Sequence, residues 1–374
     1  MASAYTPGLT VSSDLVVRRT RRLPIKGEVQ VKPGDHVSPD QVVARAMLPG
    51  VLQTIKMSEK LGVEPKDVAG MIPTKVGDSL VQDQIVVEIK ALFGLIKNKV
   101  TSDYTGTVES ISEVTGSIYV REPSIPVDIR AYIEGVIAEV LPEEGAIVET
   151  RCAMVQGIFG IGGERQGVIR VAVSGPDEVL KGANIKAEDR GKILIGGSGV
   201  TLEAIRRAEE VGVVGLVSGS IRDSDLIQYL GYDIGVAITG QENIPLTLLV
   251  TEGFGELTMA NRTFELLGTL AGQSASINGA TQIRAGVIRP EVIVPITDGR
   301  AAVEAVQAAF ELKEGTAIRI IREPYFGAIA TVTELPATLV TLESGTEVRV
   351  LRAKLGSGEE VTVPRANVEI IAAG

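Results

Sequence analysis

Side chains able to do covalent or metal chemistry are scarce in this chain. His36 is its single histidine and Cys152 its single cysteine. No Ser-His-Asp or Cys-His constellation assembles around them, and an internal disulfide or thiolate metal cluster would need more cysteines. The carboxylates are scattered. The nearest to a paired arrangement, Asp223-Ser224-Asp225, reads as a helix N-cap pair. The expectation is a non-enzyme with no catalytic residues, no metal and no cofactor.

Charge and glycine supply the remaining candidates. Arg18, Arg19, Arg21, Arg22 and Lys26 stand against one acid, Asp14, within residues 1–26. Such an arm can touch nucleic acid, stay solvated or pair with an acidic surface. The net charge of −10 argues against a generic nucleic-acid binder, which must neutralise phosphates, so the solvated or protein-paired readings are preferred. Gly196-Gly197-Ser198-Gly199, running into Thr201, could hold an anion at a helix N-terminus. A tight strand-to-helix turn uses the same residues and is the preferred reading. Gln156–Glu164 carries Gly157, Gly160, Gly162 and Gly163 without a following Lys-Ser/Thr, so it is no P-loop. A close backbone crossing is preferred there to an anion cradle. Asn278, Thr281, Gln282, Arg284 and Arg289 lie among small neighbours in Ala275–Pro295 and suggest a partner surface, either a ligand pocket or a subunit contact.

The elements that must position these residues are β-rich at the start. Lys32–Arg45 (KPGDHVSPDQVVAR) recurs in register as Lys75–Glu88 (KVGDSLVQDQIVVE). Each unit has a Gly-Asp turn followed by a half-buried alternating strand. Gly50-Val51-Leu52, Gly106-Thr107-Val108 and Gly135-Val136-Ile137 repeat a second fragment. With 3% aromatics, no Trp and 42 Gly, the cores must be aliphatic and the turns frequent. At 374 residues two to four domains are expected.

This pattern resembles the barrel-sandwich hybrid of biotinyl and lipoyl carrier domains and the related domain in the C subunit of Rnf-type electron-transport complexes. The resemblance implies a barrel over residues 27–172. It departs where a carrier holds its modified lysine, since that hairpin falls on Phe93-Gly94-Leu95-Ile96 and is apolar. Lys56 lies after the wrong strand and reads as a solvated lysine. Ser58–Ile72, with Glu64-Pro65, reads as a helical insertion.

Over residues 177–296 the pattern turns to strand–helix alternation. Strands are expected at Lys192–Ile195, Val213–Val217 and Leu246–Val250, and helices at Thr201–Val211, Asp223–Leu230 and Met259–Leu267. This means a small α/β domain with a largely parallel sheet. Thr201 is the expected N-cap, with Glu203 in the first turn. Residues 299–312 read as an Ala-rich linker helix. Gly315–Val332 then resembles the KOW motif of NusG-type elongation factors and some ribosomal proteins, with Ala330 in place of a usual Gly. That resemblance implies an SH3-like barrel over 315–374, with Tyr325 and Phe326 on a partner surface. Six bases against seven acids there favour protein over RNA as the partner. Taken whole, the chain resembles multi-domain bacterial KOW-containing proteins.

The expected architecture is multi-domain α+β: an N-terminal arm (1–26), the barrel-sandwich hybrid, the α/β domain, the linker helix and the KOW barrel. The first functional expectation is a non-catalytic scaffold that self-associates as a homo-oligomer or higher assembly. The alternatives are a KOW-type factor on RNA or the transcription or translation machinery, and a small-molecule-binding or redox-complex subunit. No signal peptide is visible, and the longest uncharged run, Leu266–Ile283, is too polar to span a membrane. A cytoplasmic protein is expected.

Overall fold

The computed structural model describes residues 9–91, 96–233, 239–282, 288–296, 312–320, 325, 328–336, 339–341 and 347–370. The expected linker helix (but for Leu312), Arg284, Phe326, and Phe93, Gly94 and Leu95 of the apolar segment set against a carrier's lysine hairpin lie outside them. The protein is β-rich, with one large mixed sheet and several small ones. No described helix is long and apolar enough to cross a membrane.

The basic segment expected as an arm is a strand. β1 (Val11–Arg22) runs antiparallel along the strand Gly145–Gln156, from Val11 opposite Val155 to Arg22 opposite Gly145. A register shift between Ser12 and Leu15 lets Val17 reach the core, buried with Val37, Ile137, Val148 and Cys152. Period-two alternation then puts Arg19 and Arg21 on the face of Val17, and Arg18 and Arg22 on the other. The charges hid an ordinary strand pattern.

Two β lobes follow, one nested in the other. The outer lobe begins with β2 (Glu28–Val29), β3 (His36–Val37) and β4 (Val42–Leu48). The chain then leaves for the inner lobe: β5 (Leu52–Ile55), α1 (Met57–Leu61), α2 (Pro65–Met71), β6 (Ser79–Leu80), β7 (Ile85–Ala91), β8 (Ile96–Thr101), β9 (Gly106–Ser112) and β10 (Ser117–Arg121). It returns through β11 (Ile125–Arg130), β12 (Gly135–Leu141) and β13 (Gly145–Gln156). β11 pairs with β4 in the sheet β11-β4-β2, and the inner sheet is ordered β5-β10-β9-β6.

The sequence repeat has a shared geometry. The amide of Lys32 donates to Asp35 Oδ2 at 2.8 Å, and that of Lys75 to Asp78 Oδ2 at 2.7 Å. Gly34 and Gly77 take φ of +89° and +94°. Their amides donate to the carbonyls of Ile137 and Val108, both at 2.8 Å. Each turn thus clips onto its own Gly-x-Val/Ile strand, which is why both fragments recur together. The insertion Ser58–Ile72 holds two short helices, which bury Met57, Leu61 and Val68 in the inner core.

From β13 the large sheet continues without a break into the α/β part. It holds β14 (Phe159–Ile161), β15 (Glu164–Val171), β16 (Lys192–Ile195), β17 (Gly199–Val200), then α3 (Leu202–Val211), β18 (Gly215–Ile221), α4 (Asp223–Leu230), β19 (Thr247–Phe254), α5 (Asn261–Thr269), β20 (Ser274–Asn278) and β21 (Glu291–Pro295). The main strand order is β14-β19-β18-β16-β15-β20-β21-β13-β12-β3, with β15, β16, β18 and β19 parallel. Alternation sorts the two faces. Leu194, Leu216 and Leu248 pack under α3 and α4, while Ile193, Val217 and Leu249 pack with Leu267 of α5. Burying each such side chain contributes ~1.5–3 kcal/mol. Thr201 caps α3 as expected, its Oγ1 accepting from the Ala204 amide at 3.1 Å. Asp223 and Asp225 are not caps. Arg222 holds the N-cap position without a side-chain bond, and both acids sit in the first turn of α4, where the helix dipole favours them.

The C-terminal unit is a six-stranded sheet of β22 (Ala317–Ile320), β23 (Ile329–Glu334), β24 (Leu339–Thr341), β25 (Glu347–Leu355), β26 (Glu360–Pro364) and β27 (Val368–Ile370). Its own core includes Ile318, Ile320, Val332, Leu351 and Val361.

Candidate functional site

The four arginines of β1 meet four glutamates of the same chain. On the outer face Arg18 pairs with Glu149 at 2.6 Å and Arg22 with Glu144 at 3.2 Å, both arginines well exposed. On the inner face Arg19 Nε donates to Glu291 Oε1 at 2.7 Å. Arg21 grips Glu164 through both terminal nitrogens at 2.6 Å, and its Nε donates to the Arg130 carbonyl at 2.7 Å. The Arg21 guanidinium also lies 5.4 Å from the centre of the Tyr132 ring, a favourable cation–π approach.

Tyr132 holds this cluster together. Its φ is +70°, a conformation that strains a bulky side chain. Three bonds offset the strain: its amide donates to the Pro39 carbonyl at 2.9 Å, its carbonyl accepts from Ser276 Oγ at 2.6 Å, and its hydroxyl donates to Glu291 Oε1 at 3.4 Å. Burial first, and then Glu291, push its phenol well above the usual tyrosine range. The basic residues therefore fasten the outer lobe to the large sheet.

The turn Gly196–Thr201 is hydrogen-bonded to the segments around it. The Gly196 amide donates to Val217, that of Ser198 to Glu178 and that of Thr201 to Leu180. Ser198 Oγ donates to the Asp177 carbonyl at 2.8 Å, and Gly199 stands opposite Ser220 in the β17–β18 pair. A Cβ on Gly197 would lie 2.4 Å from the carbonyl oxygens of Gly175 and Glu178. These glycines serve backbone packing.

The same holds for the other glycine run. Gly160 donates to Thr281 Oγ1 at 2.9 Å and accepts from Thr239 Oγ1 at 2.7 Å. A Cβ on Gly160 would lie 2.7 Å from the Gly279 carbonyl, so the run is a close crossing. Asn278 Oδ1 accepts from the Ala280 amide, Gln282 bridges Ile288 through the backbone, and Arg289 Nη1 reaches the Ile158 carbonyl. Asn278, Gln282 and Arg289 are each half-buried. Tyr325 packs against the C-terminal core.

Two surfaces were not foreseen from the sequence. At the junction of the lobes Met47, Val51, Leu52 and Ile125 are all more than two-fifths exposed, and on the inner lobe Val76, Val81 and Val114 are exposed as well. These residues are near in the fold, with Leu48 opposite Ile125, Met47 opposite Pro126, and the Glu122 amide donating to the Val51 carbonyl.

The second is a cleft of about 340 Å³ between β1, the end of β19, α5 and the C-terminal sheet. Leu9, Val11, Ala260, Ala317 and Ile329 supply apolar walls, with Gln156, Glu252, Asn261, Arg262 and Arg319 among them. Glu252 is its anchor. Oε2 receives Arg319 Nη2 at 2.6 Å, while Oε1 accepts from the Ala260 amide at 3.1 Å. Both side chains of this pair are nearly nine-tenths buried, at 13% and 11% exposure. The residues come from units far apart in the chain, so no local motif announces the cleft. No protein-family model matches the chain, and no curated protein matches it.

Proposed function

We propose that the chain is a non-catalytic assembly protein that self-associates through its N-terminal β lobes in the cytoplasm. The exposed apolar residues at the junction of the two lobes carry this reading. Isolated exposed apolar residues are ordinary, but a concentration of them marks an interaction surface. Met47, Val51, Leu52 and Ile125 also lie beside β5 and β11, which end their sheets and offer backbone groups for pairing. On this reading the nested lobes are barrel-sandwich hybrids whose surface does the binding. The α/β part is a structural middle, and the C-terminal sheet is an SH3-like KOW barrel that contacts protein.

The RNA-binding alternative draws less support, because Arg18, Arg19, Arg21 and Arg22 are already paired with glutamates. The test is sedimentation of the full chain at rising concentration. A concentration-dependent oligomer is expected, dissociated by Val51→Asp with Ile125→Lys. A strict monomer at high concentration overturns the proposal.

A further inference from the structure

We infer that the C-terminal sheet is a movable flap, latched onto the large sheet by Arg319 and Glu252 and able to swing open at the cleft beside α5. Each unit is complete without the other. Among the described residues no strand of one sheet pairs with a strand of the other. The C-terminal core, with Ile318, Ile320, Val332, Leu351 and Val361, takes no buried side chain from the large sheet. A cleft of about 340 Å³ separates the two along part of their contact. Units joined in this way move relative to one another unless a large apolar interface holds them.

The latch itself is built to release. Both side chains of the pair are nearly nine-tenths buried, and the cost of burying two charges largely offsets their attraction. The partners differ in what each keeps when the other leaves. Glu252 Oε1 accepts from the Ala260 amide at 3.1 Å and from Thr251 Oγ1 at 3.2 Å. Ala260 is the N-cap of α5 and brings no side-chain bond of its own. The carboxylate therefore sits where the helix dipole favours it and stays satisfied without Arg319. Arg319 is less well served, since its Nη1 is buried without a hydrogen-bond partner. That cost disappears when opening lets water reach the guanidinium. Opening carries Ala317 and Ile329 away with the C-terminal sheet and leaves Leu9, Val11 and Ala260 on the large one. The latch is separate from the junction of the β lobes, so this inference stands or falls independently of self-association.

The test is the distance between spin labels on Glu265→Cys in α5 and Lys354→Cys in β25, both exposed positions, with the buried Cys152 left in place. Labelled chain is diluted into unlabelled chain, so that association between copies adds no distances. Two populations are expected, one at the separation in this structure and one longer. Glu252→Gln keeps an acceptor for the Ala260 amide but removes the charge, and should raise the ratio of open to closed chains at least about tenfold. Adding Arg319→Met removes the stranded guanidinium as well, and should bring the ratio back to the native value or below. A single short distance in both the native chain and Glu252→Gln, or the same ratio in the single and double variants, overturns the inference. So does a long distance accompanied by rapid hydrogen exchange through β23 and β25, which would mean an unfolded sheet instead of a swung one.

Discussion

Arg19 and Glu291 are out of step in the sheet, yet their side chains meet. Arg19 stands opposite Val148 on β13, and Glu291 stands opposite Gln156 on the other edge of the same strand. In a flat sheet that offset of eight residues would separate them by about 26 Å. Their contact at 2.7 Å therefore requires the sheet to roll up on itself, as strongly twisted sheets do. Arg21 reaching Glu164 on β15 reports the same curl, and Tyr132 fills the bend.

This buried pair should matter far more than its exposed neighbours. Glu291→Gln is expected to destabilise the chain by about 2 kcal/mol, because it leaves the partly buried Arg19 without its charge partner. Arg18→Ala, at 68% exposure, should change stability by less than about 1 kcal/mol. Replacing both Arg19 and Glu291 by apolar residues should recover much of the loss. Urea denaturation of the four proteins checks the ranking.

Asp189 is expected to make the fold acid-sensitive. Its side chain is fully buried, with Oδ2 receiving the Lys186 amide at 2.8 Å and Arg170 Nη2 at 2.6 Å, and Oδ1 facing Lys192 at 3.4 Å. Burial pushes the carboxyl up, but the Lys186 amide, Arg170 and Lys192 together hold it below the usual carboxylate range. A depressed folded value stabilises the fold fully above the unfolded pKa of about 3.9, and the contribution is lost as pH falls through the lower folded value. The stability gap between the native chain and Asp189→Asn should therefore be largest near neutrality and shrink below about pH 4. Stability curves measured against pH would decide it.

Cys152 should be silent in the native state. Burial raises its thiol to about 12, with Glu291 and Asp14 adding and Arg19 opposing. A raised folded value favours the fold below the unfolded pKa of about 8.5, and that contribution is lost as pH climbs towards the folded value. A disulfide reagent at pH 8 should label the denatured chain promptly and the native chain only at its opening rate. Prompt native labelling would contradict this placement of the side chain.

The duplicated turn offers a matched pair of substitutions. Gly34 and Gly77 have open space where a Cβ would go, but φ of +89° and +94°. Gly34→Ala and Gly77→Ala should each cost roughly 1–2 kcal/mol from backbone strain alone. Gly106→Ala should cost more, since its Cβ would lie 2.2 Å from the Arg121 carbonyl. Thermal unfolding of the three variants provides the comparison.

Much of the fold could be read wherever a local rule acts on neighbouring residues. The Lys-x-Gly-Asp repeat became two turns with the same hydrogen bond because Gly and Asp satisfy them within four residues. Thr201 and the helical spacing behind it placed α3 within one residue. The strand β1 was read as an arm because arginines occupy both its core-facing and its outer positions, which masks the alternation. The cap expected at Asp223 is not formed, because position relative to the first turn, rather than residue type, decides which group accepts an amide.

The sequence by itself determined the β-rich character, the repeat and the strand–helix alternation, since each follows from backbone preference and the period of apolar side chains. Only the tertiary structure decided what the charged residues face. Whether Arg19 greets solvent or Glu291, and whether Arg319 meets Glu252 across a cleft, depends on how a twisted sheet curls and where a separate sheet docks. Those geometries arise from the summed packing of residues hundreds of positions apart, and no local spacing encodes them.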